Sequence, residues 1–124
     1  MKVCSEELIS RVLTAATNVH AILGPGLLES VYEAALAIEF DEMGIKYQRQ
    51  EDVPAIFRGR DLGVGFRADF IVEDCLLLEL KARKMREFDL AQIITYLKMC
   101  EIKRGFLLNF HHVKMKDGIK RVSI

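Results

Sequence analysis

Apolar residues recur at helical spacing early in the chain and at two-residue spacing later. Leu8, Val12, Ala15, Ala16, Val19 and Leu23 form a stripe that predicts a helix over residues 5–23, capped by Ser5. Gly24-Pro25-Gly26 then breaks the chain. A second helix is predicted from about Leu27 to Met43, burying Leu28, Val31, Ala35 and Ile38. Glu29, Tyr32, Glu33 and Leu36 lie on its neighbouring face, and Gly44 stops it. From Ile45 the spacing shortens. Ile45–Asp52 and Val53–Phe57 read as extended, with Pro54 confining that part to a sheet edge or a bulge. Arg58-Gly59-Arg60-Asp61 reads as a turn. Strands over Val64–Val72 and Leu76–Ala82 lead to a helix over Arg86–Cys100. A strand over Gly105–Phe110, an Asp117-Gly118 turn and a last strand over Ile119–Ile124 complete the pattern. The order α-α-β-β-β-β-α-β-β predicts an α/β (α+β) fold, a mixed sheet flanked by helices. The early strands form an antiparallel meander, and the third helix carries a right-handed parallel crossover to Gly105–Phe110.

Parity ties two of these strands together. Side chains alternate across a strand, so Phe66, Ala68, Phe70 and Val72 share one apolar face, and Leu76, Leu78, Leu80 and Ala82 share another. Burying both faces together requires facing residues whose numbers sum to an even value. The three-residue connection Glu73-Asp74-Cys75 meets that requirement, setting Val72 against Leu76 and Phe70 against Leu78. Asp69 then faces Glu79, and Arg67 faces Lys81. Carboxylates directly opposite one another repel. A divalent cation or the Lys81 ammonium compensates. Mg²⁺ (or Mn²⁺) prefers hard oxygen donors, so Asp69, Glu79 and the backbone carbonyl of Leu80 are the expected ligands.

Bulk properties narrow the context. The chain has 124 residues, 18 basic and 18 acidic, for zero formal charge. That length predicts a single domain over residues 1–124. No global positive field draws it to polyanions, so contacts with nucleic acid must be local. Lys81, Arg83, Lys84 and Arg86 form one dense basic patch beside the acids, and Lys98, Lys103 and Arg104 form another. Such a patch is either a solvated face or a guide for a phosphate backbone. Lys84 and Arg86 are the expected nucleic-acid contacts. Cys4, Cys75 and Cys100 are odd in number and lack metal-ligand spacing, which predicts reduced thiols and a cytoplasmic location. Met1–Ser10 is polar, unlike a signal peptide, and no apolar run is long enough for a membrane span. His20, near the end of an apolar helix, is expected to be a packing residue. His111-His112 has no matching ligands and is expected to hold no metal.

The motifs resemble a known family. Gly26-Leu27-Leu28-Glu29-Ser30-Val31-Tyr32 resembles the G-x-x-E-x-x-Y signature of the GxxExxY protein family. Arg67 to Asp74, Glu79-Leu80-Lys81-Ala82, Gln92 to Lys98, Asn109-Phe110 and Asp117 to Arg121 resemble further segments of it, in the same order along nearly the whole chain. That family is grouped with the PD-(D/E)XK nuclease superfamily. The resemblance implies a restriction-endonuclease-like core and catalytic roles for Asp69, Glu79 and Lys81. It adds Glu29 as the helix glutamate of such sites, and Gln92 with Tyr96 as a supporting Q-x-x-x-Y element. Ala68 stands where the motif often has proline.

Two functions follow as expectations. The first is a metal-dependent nuclease hydrolysing phosphodiester bonds in DNA or RNA. The second is a non-catalytic nucleic-acid- or protein-binding module that retains the nuclease fold. The Asp/Glu/Lys set favours the first. Zero net charge and small size favour the second, or completion by a protein partner or a homodimer. Arg67 and Tyr32 are expected to support the site or its phosphate, although Tyr32 also suits simple packing.

Overall fold

The computed structural model describes residues 3–124, so the first two residues of the polar amino-terminal stretch lie outside the described residues. Ser5 accepts a hydrogen bond from the Leu8 N–H and opens α1 (Glu6–Leu23), whose apolar stripe is buried from Leu8 to Val19 as its spacing predicts and half-buried at Leu23. After the glycine-proline break come α2 (Glu29–Met43), β1 (Tyr47–Phe57), β2 (Arg60–Val72), β3 (Leu76–Lys81), α3 (Glu87–Cys100), β4 (Arg104–Asn109) and β5 (Ile119–Ser123). A 3₁₀ turn, Met115–Gly118, leads into β5. The five strands lie side by side in chain order. Only β3 and β4 run parallel, which makes the sheet mixed, as expected. Helices α1 and α2 cover one face, and α3 covers the other. Among the described residues, no helix is long and apolar enough to cross a membrane.

The two extended segments expected on either side of residue 53 are one strand. It is the edge strand β1, and its register shifts between Pro54 and Ile56. Proline lacks the N–H that an inner strand needs, and here it sits beside a bulge at the sheet edge. A second difference concerns α2. Its buried residues are Tyr32, Leu36, Ala37 and Phe40, whereas Leu28, Val31 and Ile38 are exposed. Both sets have helical spacing. The set that wins buries two aromatic rings, with Tyr32 stacked on Phe110 and Phe40 edge-on to Phe70.

The register of β2 on β3 is the one that parity requires: Val72 faces Leu76, Ile71 faces Leu77, and Phe70 faces Leu78. Pairing stops there. Phe70 and Val72 pack with α1 and α2, whereas Phe66 and Ala68 pack with α3. Residues of the same parity thus lie on opposite faces, which corrects the expectation of one continuous apolar face. The strand turns over at Asp69. Arg49 faces Phe70 and Glu51 faces Ala68, which leaves Gln50 across from Asp69 with a left-handed φ of 55°.

The cysteines also differ from expectation. Cys4, just before α1, and Cys75, in the β2–β3 connection, form a disulfide with a Cα–Cα distance of 5.3 Å. The expectation of reduced thiols therefore holds only for Cys100, and the cytoplasmic expectation loses that support. Count and local spacing carry no information about which distant segments fold together. Thiol titration of the unfolded, unreduced chain is expected to find Cys100 alone. Reduction should expose the other pair and lower the unfolding free energy by roughly 4 kcal/mol, as expected for cross-linking residues about 70 apart. Three reactive thiols before reduction would contradict the bridge.

Candidate active site

The end of β2–β3 pairing creates the site. Beyond Leu78, β3 continues beside β4, with Glu79 facing Leu107 and Lys81 facing Asn109. Its other edge has lost β2. The Leu80 N–H, which points into the resulting opening, donates to Asp69 Oδ2 at 2.8 Å. In an extended strand the N–H and C=O of one residue point to the same side, so the Leu80 carbonyl faces the opening too. The Lys81 carbonyl points the other way and accepts from Phe110 N at 2.8 Å.

Asp69 and Glu79 converge here, their carboxyl groups within hydrogen-bonding reach of each other. Burial pushes the Glu79 carboxyl up to about 9, and the neighbouring Asp69 charge adds to this. Burial also raises Asp69, against the opposing bond from Leu80 N–H. Glu79 is 5% exposed, and its Oε1 is buried without a hydrogen-bond partner. A buried carboxylate oxygen left unpaired is costly.

Lys81 follows Glu79 by two positions and is half-buried. Its charge opposes the upward shifts of both Glu29 and Glu79. Glu29 opens α2 and sits on the solvent-accessible rim. Desolvation by the protein around it raises its carboxyl, and the Asp69 charge adds to the shift. On the α3 side, Tyr96 stacks on Phe66 with ring centroids 3.7 Å apart. Burial raises its hydroxyl, and the charges of Glu79 and Asp69 raise it further. Gln92 lies one turn earlier on the same helix, half-buried. Lys84 and Arg86 are exposed on the β3–α3 connection, where Arg86 also caps α3.

Two expected participants lie elsewhere. Arg67 does not face Lys81, because β2 has left β3 before that point. It forms an exposed ion pair with Asp52 of β1 at 3.1 Å. Tyr32 is fully buried. Its hydroxyl donates to the Gly24 carbonyl at 2.6 Å and accepts from Leu27 N at 3.1 Å, so it secures the α1–α2 turn and presents nothing to a phosphate. His20 is a buried packing residue whose ring nitrogen meets the His112 carbonyl at 2.7 Å.

Other residues join the site without an obvious signal in the sequence. Gln50 bonds Asp69 Oδ1 at 3.2 Å and also reaches Glu33, whose carboxylate pairs with Arg49 at 2.9 Å. Glu33 was visible as the residue one turn after Glu29. Gln50 depends on its left-handed backbone, which no local pattern marked. Arg83 lies close enough to Glu29 for their charges to interact. Its guanidinium is held at both ends by Asp89, at 2.7 and 2.9 Å, and its carbonyl accepts from the buried Asn109 amide at 2.7 Å.

Among the described residues, no group of three or more His, Cys, Asp or Glu side chains is arranged to hold a metal. A cation here would rely on the two carboxylates and backbone oxygen. The orphaned Glu79 oxygen beside Asp69 fits that role, as does the hard-oxygen character of the set. A family model described as the PD-(D/E)XK nuclease superfamily matches residues 6–122. No curated protein and no solved structure matches the chain.

The Arg83–Asp89 pair has a measurable pH signature. Arg83 holds the buried Asp89 carboxyl down at about 2. Its folded value lies below its unfolded one. The stabilisation is therefore present above about pH 4 and is lost as pH falls towards 2. Asp89→Asn is expected to reduce stability at neutral pH by roughly 2 kcal/mol, less any screening at the partly exposed Arg83. It should also flatten the acid limb of the stability profile. Urea unfolding at several pH values reads both, and an unchanged acid limb would rule out this linkage.

Proposed function

The chain belongs to the PD-(D/E)XK nuclease superfamily, and on that premise we propose that it is a single-domain nuclease that hydrolyses phosphodiester bonds with a divalent cation held between Asp69 and Glu79. Nucleases of this superfamily generally use divalent metals. The observation that carries the reading is the buried Glu79 Oε1, unpartnered beside Asp69 where two strands part. Glycine, glutamate and tyrosine at positions 26, 29 and 32 support placing the chain in the GxxExxY branch.

Asp69, Glu79 and the Leu80 carbonyl are the proposed metal ligands. A bound Mg²⁺ or Mn²⁺ would supply a water of lowered pKa and neutralise charge on a phosphoryl oxygen. The remaining work falls to side chains. Lys81 presents its ammonium beside the acids, where it orients the attacking water and stabilises negative charge developing on the phosphorus oxygens. Glu29 on the rim, desolvated and near Lys81, is placed to accept a proton from water. Gln50 and the Leu80 N–H fix both oxygens of Asp69, so the carboxylate needs little reordering when phosphate arrives. Tyr96 and Gln92 brace the α3 side, and Lys84 and Arg86 meet the phosphate backbone beyond it.

Thermal shift with Mg²⁺ or Mn²⁺ tests the metal site. Wild type is expected to gain stability as metal is added, and Asp69→Ala to lose that gain. Glu79→Gln separates the two roles of that residue. Since Glu79 is protonated when folded at neutral pH, the amide should preserve the stability of the metal-free protein while removing the metal response. Cleavage of a panel of DNA and RNA substrates tests the activity, with Lys81→Ala expected to be slower by roughly 10²–10³-fold. Equal inertness of wild type and Lys81→Ala across the panel would leave a binding module in place of an enzyme.

A further inference from the structure

Beyond Val53 and Phe66, which still pack against the α3 side, β1 and β2 leave the body of the protein as a two-stranded ribbon. From Pro54 to Gly65 every residue is exposed except Ala55, which is half-buried. Its end is a two-residue turn, Arg58-Gly59, between the facing residues Phe57 and Arg60. Both turn residues have positive φ, 50° and 75°. Asparagine, aspartate or glycine suits the first of these positions, yet arginine occupies it. Among the described residues, neither Arg58 nor Arg60 forms an ion pair. The neighbouring carboxylate, Asp61, is engaged by the Gly63 N–H at 2.8 Å. The Arg58 guanidinium lies over the Phe57 ring, 5.3 Å from its centre. Ile56, Phe57, Leu62 and Val64 are 46–72% exposed along the same ribbon.

We propose that this ribbon is a duplex-DNA arm, with Arg58 and Arg60 gripping the backbone and the exposed apolar side chains entering a groove. The proposal rests on the nuclease reading and gives that site its substrate class. The ribbon's dimensions suit the purpose, because the major groove of B-DNA admits a two-stranded β-ribbon. The major groove of A-form RNA is deep, narrow and closed to side chains, which favours DNA. Arginine combined with exposed phenylalanine, leucine and isoleucine supplies phosphate contacts beside apolar side chains that can meet base edges, such as the thymine methyl, in that groove. A second copy of this chain fits less well. Packing two ribbons together would bury the Arg58 and Arg60 guanidiniums, which form no ion pair among the described residues, and a buried charge is strongly unfavourable unless it is paired.

Strand β2 bulges between Asp61 and Gly65, where the β1 residues Pro54 to Ile56 oppose a longer stretch of β2 and Gly63 has a φ of 78°. The reach of the ribbon is therefore set by β1, which spans up to about 23 Å from Gln50, across from Asp69, to Phe57. That is the length of about seven base pairs of duplex. The arm therefore holds DNA about two-thirds of a helical turn from the acids. A duplex shorter than that spacing cannot engage both.

The test is fluorescence anisotropy of the full chain on labelled duplex DNA of about 30 base pairs, over roughly 50–200 mM salt, in EDTA so that no turnover intrudes. Arg58→Ala/Arg60→Ala is expected to bind at least about tenfold more weakly than wild type. Its log–log salt slope should be shallower by about 2, one unit per lost phosphate contact. Its melting temperature should be unchanged, because the arm touches nothing in the core, and Arg58→Lys/Arg60→Lys should recover most of the slope. Equal affinity and slope for wild type and the alanine variant on the long duplex would overturn the arm, as would tighter binding to duplex RNA. A wild type that binds no nucleic acid but sediments as a dimer broken by Leu62→Asp would give the ribbon to a second copy. Mg²⁺-dependent cleavage is scored separately. Arginine-dependent binding without cleavage supports the arm and defeats the nuclease reading, whereas cleavage without arginine dependence does the reverse.

Discussion

A strand cannot both complete a hydrogen-bond ladder and leave it, and the site exists because β2 leaves. At Phe70 it is still paired with β3, and one residue earlier it has turned over. The Leu80 N–H left behind would cost about 1–3 kcal/mol if buried without an acceptor. The Asp69 carboxylate becomes that acceptor. A structural requirement and a chemical one therefore meet in the same side chain. The acid is held in place by the backbone it stabilises, with Gln50 on its other oxygen.

Charge at the site is arranged around that opening. Burial raises the carboxyls of Glu79 and Asp69, which lie inside, and of Glu29, which stays on the rim. Lys81 works against these upward shifts at Glu29 and Glu79. Arg83 stands beside Glu29 with its guanidinium fixed by Asp89 and its carbonyl by Asn109. The last of these partners comes from β4, so the parallel crossover orders the mouth of the site as well as completing the sheet. Lys81 and Arg83 thereby offset part of the crowding of negative charge around the opening.

Much of this was readable along the chain because it follows from parity. Counting residues between two apolar strands was enough to set Phe70 against Leu78, whereas Asp69 approaches Glu79 beyond that pairing, where it accepts from the Leu80 N–H. The family resemblance reached the same acids independently. Parity failed where the strand stopped being regular. It assumed that Phe66 and Ala68 continue the face of Phe70, and it therefore misplaced Arg67. Nothing in Ala68-Asp69-Phe70 announces a turnover, since it is imposed by α2 and α3 competing for opposite faces of one strand. The same kind of competition decided α2, where two stripes had helical spacing and stacking with Phe110 and Phe70 favoured the aromatic one. Gln50 and the Cys4–Cys75 bridge depend on long-range proximity, which has no local signature.

The lateral order of the strands repeats their order along the chain. During synthesis each strand therefore emerges to find its only earlier neighbour already present, and no later strand must be inserted between two older ones. Contacts of this kind close short loops, which favours rapid assembly. The acids from Glu29 to Glu79 and their lysine leave the ribosome before α3 and β4 do. A nascent chain thus carries its full set of carboxylates while one face of the sheet is still uncovered. The covering helix and the strand that follows turn an open, hydrated cluster into a confined one, so the acids are shielded from bulk water only once α3 and β4 have formed.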